Sequence, residues 1–200
     1  MLVLAIGNIG FAMLMAGYAR TAAANPAMRV WAWAKLVLGC AFLLGWLRPD
    51  LPYAGVPLVA NSAMILGSAL ELAAYCIFFG FAHWKRVLIP CAVLAVLILY
   101  GARFYDATPN RLLVIMSLII AASTGAMACI LLRPGADHTL LRRLIGFTDV
   151  LFFIAMSWRA YTGVVNTHMV SMTPGIVQSV VYVAGYMLTI VNGFGFLLLC

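Results

Sequence analysis

Charge is what this chain has least of. Asp, Glu, Lys and Arg make up 8% of its 200 residues, and only 5 of them are acidic. A soluble domain needs polar faces on its helices, and too few polar residues are present to supply them. Strict alternation of polar and apolar residues is missing too, which argues against a transmembrane barrel. There is no CxxC motif. Cys40, Cys76, Cys91 and Cys129 fall inside apolar runs and Cys200 ends the chain, so neither a disulfide framework nor a thiolate metal site is indicated. His83, His138 and His168 sit at the ends of apolar runs or between them, so no facing pair is placed to hold a haem. No cofactor is expected. No basic n-region or convincing cleavage site accompanies the first apolar run, so a removable signal peptide is not expected.

What the chain does have is hydrophobic residues, 66% of the total, with a mean hydropathy of +1.10. About 20 apolar helical residues cross about 30 Å of hydrocarbon. With every backbone group satisfied internally, helices are the spans that fit. The pattern predicts seven, over Met1–Tyr18, Met28–Leu47, Val56–Ala82, Val87–Gly101, Asn110–Leu132, Leu141–Val164 and Gly175–Cys200. The fourth reads as the shortest, with Pro90 near one end. Short connections such as Asn25-Pro26, Arg48-Pro49-Asp50, Thr108-Pro109-Asn110, Arg133-Pro134-Gly135 and Thr173-Pro174-Gly175 carry turn chemistry. The fold class is all-α integral membrane, a seven-helix bundle forming one domain over 1–200.

Basic residues set the orientation, since cytoplasmic loops hold the excess. The first, third and fifth connections hold Arg20, Arg29, Lys85, Arg86, Arg133, Arg142 and Arg143. The second, fourth and sixth hold Arg48, Arg103 and Arg111, offset by Asp50 and Asp106. The N-terminus is therefore expected outside and the C-terminus in the cytoplasm. Tyr18, Trp31, Trp33, Trp46, Tyr53, Trp84 and Tyr105 fit an interfacial aromatic belt. The net charge of +7 is spread over six loops, which suits topology and anionic lipid heads rather than nucleic acid.

Polar groups inside the spans are costly in lipid and tend to face the bundle interior. In the third span Asn61, Ser68, Glu71 and Tyr75 share one helical face. In the seventh, Gln178, Tyr182, Gly185, Thr189 and Asn192 do the same. Asp149 and Arg159 in the sixth, Lys35 in the second and Asn8 in the first complete the set. At about 1.5 Å per residue these fall into two tiers. Arg159, Asn61 and Gln178 lie a few residues below the outer surface, with Trp158, Tyr161 and Tyr182 as candidate aromatic walls of a ligand pocket. Lys35, Glu71, Asp149 and Asn192 form an inner tier, where at least one of the two carboxylates is expected to be neutral or held ionised by Lys35. Lys35 is also near enough to the inner surface to snorkel. The alternative for all of them is interhelical hydrogen bonding that merely holds the bundle together, about 1 kcal/mol each.

The run Leu58-Val59-Ala60-Asn61-Ser62-Ala63-Met64-Ile65-Leu66-Gly67, the segment Ser157-Trp158-Arg159-Ala160-Tyr161 and the final Leu188–Leu199 run with Gly193 and Gly195 carry a resemblance. Together they are similar to the N-terminal transmembrane sensor region of bacterial diguanylate cyclases (GGDEF-domain proteins) and some related histidine kinases. The resemblance implies a sensory domain of the bacterial inner membrane, working in c-di-GMP signalling and relaying a signal through its last helix to a cytoplasmic output domain. It also implies a homodimer, for which Gly7 and Gly10 or Gly193 and Gly195 could serve as close-approach points, unless they pack within one chain. No catalytic module is present up to Leu-Leu-Leu-Cys200, so the chain is expected to be no enzyme itself and to form the N-terminal part of a longer signalling protein. Its expected partners are membrane lipid and a small-molecule ligand. Two other classes stay open: a small transporter or permease using Glu71, Asp149 and Arg159 as a path, and a redox or enzymatic membrane protein.

Overall fold

The computed structural model describes residues 1–21, 25–48, 51, 55–105, 108–134, 139–165 and 175–199. These form seven helices: α1 (Leu2–Thr21), α2 (Pro26–Leu47), α3 (Val56–Phe78), α4 (Trp84–Phe104), α5 (Pro109–Leu132), α6 (Leu140–Val165) and α7 (Ile176–Leu199). Among the described residues no strand occurs. Five helices, α2, α3, α4, α5 and α7, are long and apolar enough to cross a membrane. That is the make-up of a multi-pass membrane protein. In α1 the apolar run is shorter, Leu2–Tyr18, and α6 is interrupted by Arg142, Arg143, Asp149 and Arg159. The predicted turns at Pro49-Asp50, Gly135 and Thr173-Pro174 lie outside the described residues, as do Tyr53, Asp106, His138, His168 and Cys200.

Local chemistry sets several helix ends. The Asn25 side chain accepts from the Ala27 N–H at 3.0 Å, with Pro26 opening α2. Thr108 and Pro109 open α5 in the same way. Each cap satisfies an N–H that has no partner within its helix. The third helix ends at Phe78, short of the predicted Ala82. Gly80, at φ 70°, takes the left-handed conformation that a side chain resists. It lets Phe81 N–H reach the Cys76 carbonyl at 2.9 Å and its own N–H reach that of Ile77 at 3.2 Å, a Schellman closure. The fourth helix is longer than predicted, at 21 residues against 20 for α1. Pro90 thus sits in its second turn and leaves the Arg86 carbonyl without its usual intrahelical donor.

Helix packing makes a closed ring. α1 packs on α2, α2 on α3, α3 on α5, α5 on α6, α6 on α7, and α7 returns to α1. α4 stands outside this ring, against α3 and α5, and Leu99 is its one buried residue. Antiparallel order puts the α2–α3, α4–α5 and α6–α7 connections at one end. At the opposite end Trp31, Tyr75, Met127, Leu131, Ile145 and Phe196 form one apolar cluster. Nearer the first end Ile65, Leu99, Met116, Ile120, Met156 and Val181 form another. Trp31 is fully buried there rather than part of an interfacial belt, whereas Trp33 and Trp46 are exposed. Gly193 and Gly195 pack within the chain, where added methyl groups would collide with Phe11 and Ile145. Gly7 and Gly10 show no such tight contact.

Candidate functional site

Two stacked cavities occupy the ring. The larger, about 320 Å³, opens at the end carrying the even-numbered connections. Asn61 of α3 and Arg159 of α6 both line it. Arg48, at the end of α2, and Arg103, in the last turn of α4, join them. Three arginines from three helices thus border one space, and no Asp or Glu lies among its described lining residues. Asn110 ties α5 to α6 beside it by donating to the Gly163 carbonyl.

The smaller cavity, about 100 Å³, lies next to the first and shares Met1, Met64, Ile120 and Arg159 with it. Asn8, Lys35, Ser68, Glu71, Thr124, Tyr182 and Thr189 give it a polar lining from five helices of the ring. Arg159 therefore stands at the junction of the two spaces. The helical face read along α7 is real in this respect, since Gln178, Gly185, Thr189 and Asn192 are all buried.

The predicted outer residues divide. Asn61 and Arg159 meet in the larger cavity, and Tyr182 borders the smaller one, within electrostatic reach of Arg159. Gln178 lines neither space but donates to the Tyr182 hydroxyl at 3.3 Å. Trp158 and Tyr161 are not walls of the site. They are 42% and 67% exposed, because Ala155, Met156, Ala160 and Gly163 take the inward face of α6 and turn positions 158 and 161 outward.

The inner tier resolves into two pairs. Lys35 forms a salt bridge with Glu71, the two side chains being 3% and 6% exposed, so Lys35 does not snorkel. Its ammonium also lies 4.8 Å from the centre of the Trp31 ring. On the other side Asn192 Nδ2 donates to Asp149 Oδ1 at 2.9 Å, joining α7 to α6. Asp149 is fully buried, within electrostatic reach of both Lys35 and Glu71. The four described cysteines are free, and among the described residues no group of three His, Cys, Asp or Glu could hold a metal.

Sequence reasoning treated Arg48, Arg103 and Arg142 as topology charges only. The missing signal was geometric. Arg48 and Arg103 end helices that run the same way, so both reach the level of Arg159, but that level becomes a shared space only once α4 is known to cover the α3–α5 seam. No family model, curated protein or solved structure matches the chain. Function is read from the site alone.

Proposed function

We propose that this chain is a seven-span sensory domain, with its N-terminus outside and its C-terminus in the cytoplasm, that holds a small ligand in the larger cavity and moves its last helix in response. One observation carries the reading: the space bordered by Arg48, Arg103, Arg159 and Asn61 lies at the end with fewer basic residues, the end expected to face outward. Support for seven spans comes from the ring. α1 lies between α2 and α7, and α6 between α5 and α7, all helices of spanning length, and the charges of α6 at 142 and 149 are buried rather than set towards lipid. Support for a relay comes from α6. It carries Arg159 at the cavity and, ten residues deeper, Asp149, which is hydrogen-bonded to Asn192 of α7. A shift of α6 would thus be felt by the helix that leads to Cys200. An output module such as a diguanylate cyclase beyond that helix, in a bacterial inner membrane, belongs to the same proposal.

Single cysteines in the Arg48–Pro57 and Asn166–Pro174 connections should react with impermeant reagents from outside, and those near Lys85 or Asp137 should not. Reaction of both sets from one side sinks the seven-span arrangement. For the relay, Arg159→Gln should change amide exchange by severalfold over Thr189–Leu199 while leaving that of α4 as in the parent. Unchanged exchange in α7 argues against coupling.

The adjoining cavities favour a second reading, a transporter whose path runs from Arg159 to the Lys35–Glu71 pair. Proteoliposomes loaded with a pH-sensitive dye distinguish the two. A sensor leaves proton permeability at the protein-free level, and a proton-coupled path raises it in a way that Glu71→Gln combined with Lys35→Met abolishes.

A further inference from the structure

We infer that the larger cavity takes an anionic amphiphile, a single carboxylate or phosphate head on a short apolar body. This rests on the reading of that cavity as a ligand site and adds the chemistry of its occupant. The head follows from charge. Arginine stays protonated in proteins, and its planar fork matches carboxylate and phosphate oxygens. Arg48, Arg103 and Arg159 reach the cavity from α2, α4 and α6, so their convergence is a product of tertiary packing rather than of one basic stretch. An anion that enters this space comes near all three at once, and each nearby positive charge favours its ionised form. Among the described residues Glu71 pairs with Lys35 and Asp149 with Asn192, deeper in the ring.

The body follows from the rest of the lining. Leu58, Met64, Leu99, Met116 and Ile120 give a mostly hydrocarbon surface, with Asn61 as the one amide among the described lining residues. A sugar or a zwitterion would leave hydroxyls or an ammonium against that surface without partners, which disfavours both. A bare inorganic anion would leave the hydrocarbon wetted. The thioethers of Met64 and Met116 adapt to chains and rings of varied shape. A volume of about 320 Å³ is at the lower end of small-molecule sites, which span roughly 300–1,000 Å³. It suits one short chain, one ring, or the head and first methylenes of a lipid. The position of α4 fits as well. The helix outside the ring supplies Leu99 and Arg103, so on that side the cavity is bounded by the span that is most exposed to its surroundings.

The test uses the full chain in phosphatidylcholine nanodiscs, with octanoate, 1-octanol, acetate and inorganic phosphate as probes and the melting temperature as readout. Octanoate should stabilise the protein saturably, and the other three should not. Arg48→Gln and Arg103→Gln change exposed positions, so they should fold, as their probe-free melting temperatures would verify. Each should weaken the octanoate response by about tenfold or more, the loss expected for one charge-assisted hydrogen bond. Replacing part of the phosphatidylcholine with phosphatidylglycerol separates two sources of the same chemistry. A shift of the octanoate titration to higher concentration identifies a lipid head group as occupant, and an unchanged titration identifies a free acid. Equal responses to octanoate and octanol, or responses that both Arg variants leave intact, overturn the inference. If acetate or phosphate binds as well as octanoate with the same arginine dependence, the ligand site stands and the amphiphile does not. Absence of any arginine-dependent binding removes both.

Discussion

Glu71→Gln should destabilise the bundle by about 3–5 kcal/mol, and adding Lys35→Met should restore most of the loss. The pair is 3% and 6% exposed, so neither charge has water to fall back on. A glutamine takes away the direct partner of the Lys35 ammonium and leaves it in a low dielectric with the Trp31 ring, 4.8 Å from its centre, and Asp149 beyond salt-bridge distance. Removing the ammonium as well ends the conflict, since methionine fills similar volume and carries no charge. Reversible unfolding in mixed micelles, run on the two single variants and the double, gives the coupling directly. If Glu71→Gln unfolds as the parent does and the cycle closes without a coupling term, the ion pair is not what joins α2 to α3 at this depth.

Arg142→Ala should rank next, at about 2–4 kcal/mol, and Arg142→Lys should recover less than half of it. Arg142 Nε donates to the Leu131 carbonyl at 2.7 Å, and Nη2 to those of Ile130 and Arg133 at 3.0 and 3.2 Å. These carbonyls lie at the end of α5, where the last turn has no intrahelical donors left and the helix dipole is negative. The guanidinium also lies 4.5 Å from the centre of the Phe79 ring, just past the end of α3. One side chain on α6 thereby closes α5 and braces α3. A lysine ammonium is a point donor and cannot reach all three carbonyls from both edges of a plane. The same unfolding measurement checks the ranking. A loss for Arg142→Ala within about 0.5 kcal/mol, as at an ordinary surface site, would reduce the clamp to a solvated charge.

Helix number and approximate placement were legible because apolar runs of spanning length have few alternatives. Helix ends were legible where a cap residue announces them, as at Asn25 and Thr108, and misread where backbone geometry decides, as at Gly80. Periodicity located the inward faces of α3 and α7 correctly. It could not say that Lys35 and Glu71 would meet, because pairing across helices depends on rotation and neighbour order, neither of which a single chain's pattern contains. The same gap explains Trp158 and Tyr161. They are near Arg159 in sequence and point away from it, since a helix turns about 100° per residue. Arg142 shows the limit from the other side. A basic residue read as part of a connection is fully accounted for by the orientation it implies, so nothing in the sequence asks for a further role.

Trp31 differs from the other indoles of this chain. Phe196 of α7 lies parallel to it at 4.2 Å between ring centres, and Tyr75 of α3 stands edge-on at 5.1 Å. Trp33, Trp46 and Trp158 are 63%, 46% and 42% exposed. The exciton coupling and quenching of a stacked ring pair depend steeply on separation and tilt, so a small sliding of α7 rewrites the near-ultraviolet dichroism and emission lifetime of Trp31. The exposed indoles contribute a background that such sliding leaves alone. The protein thus carries its own optical gauge of where its last helix stands, readable without a label.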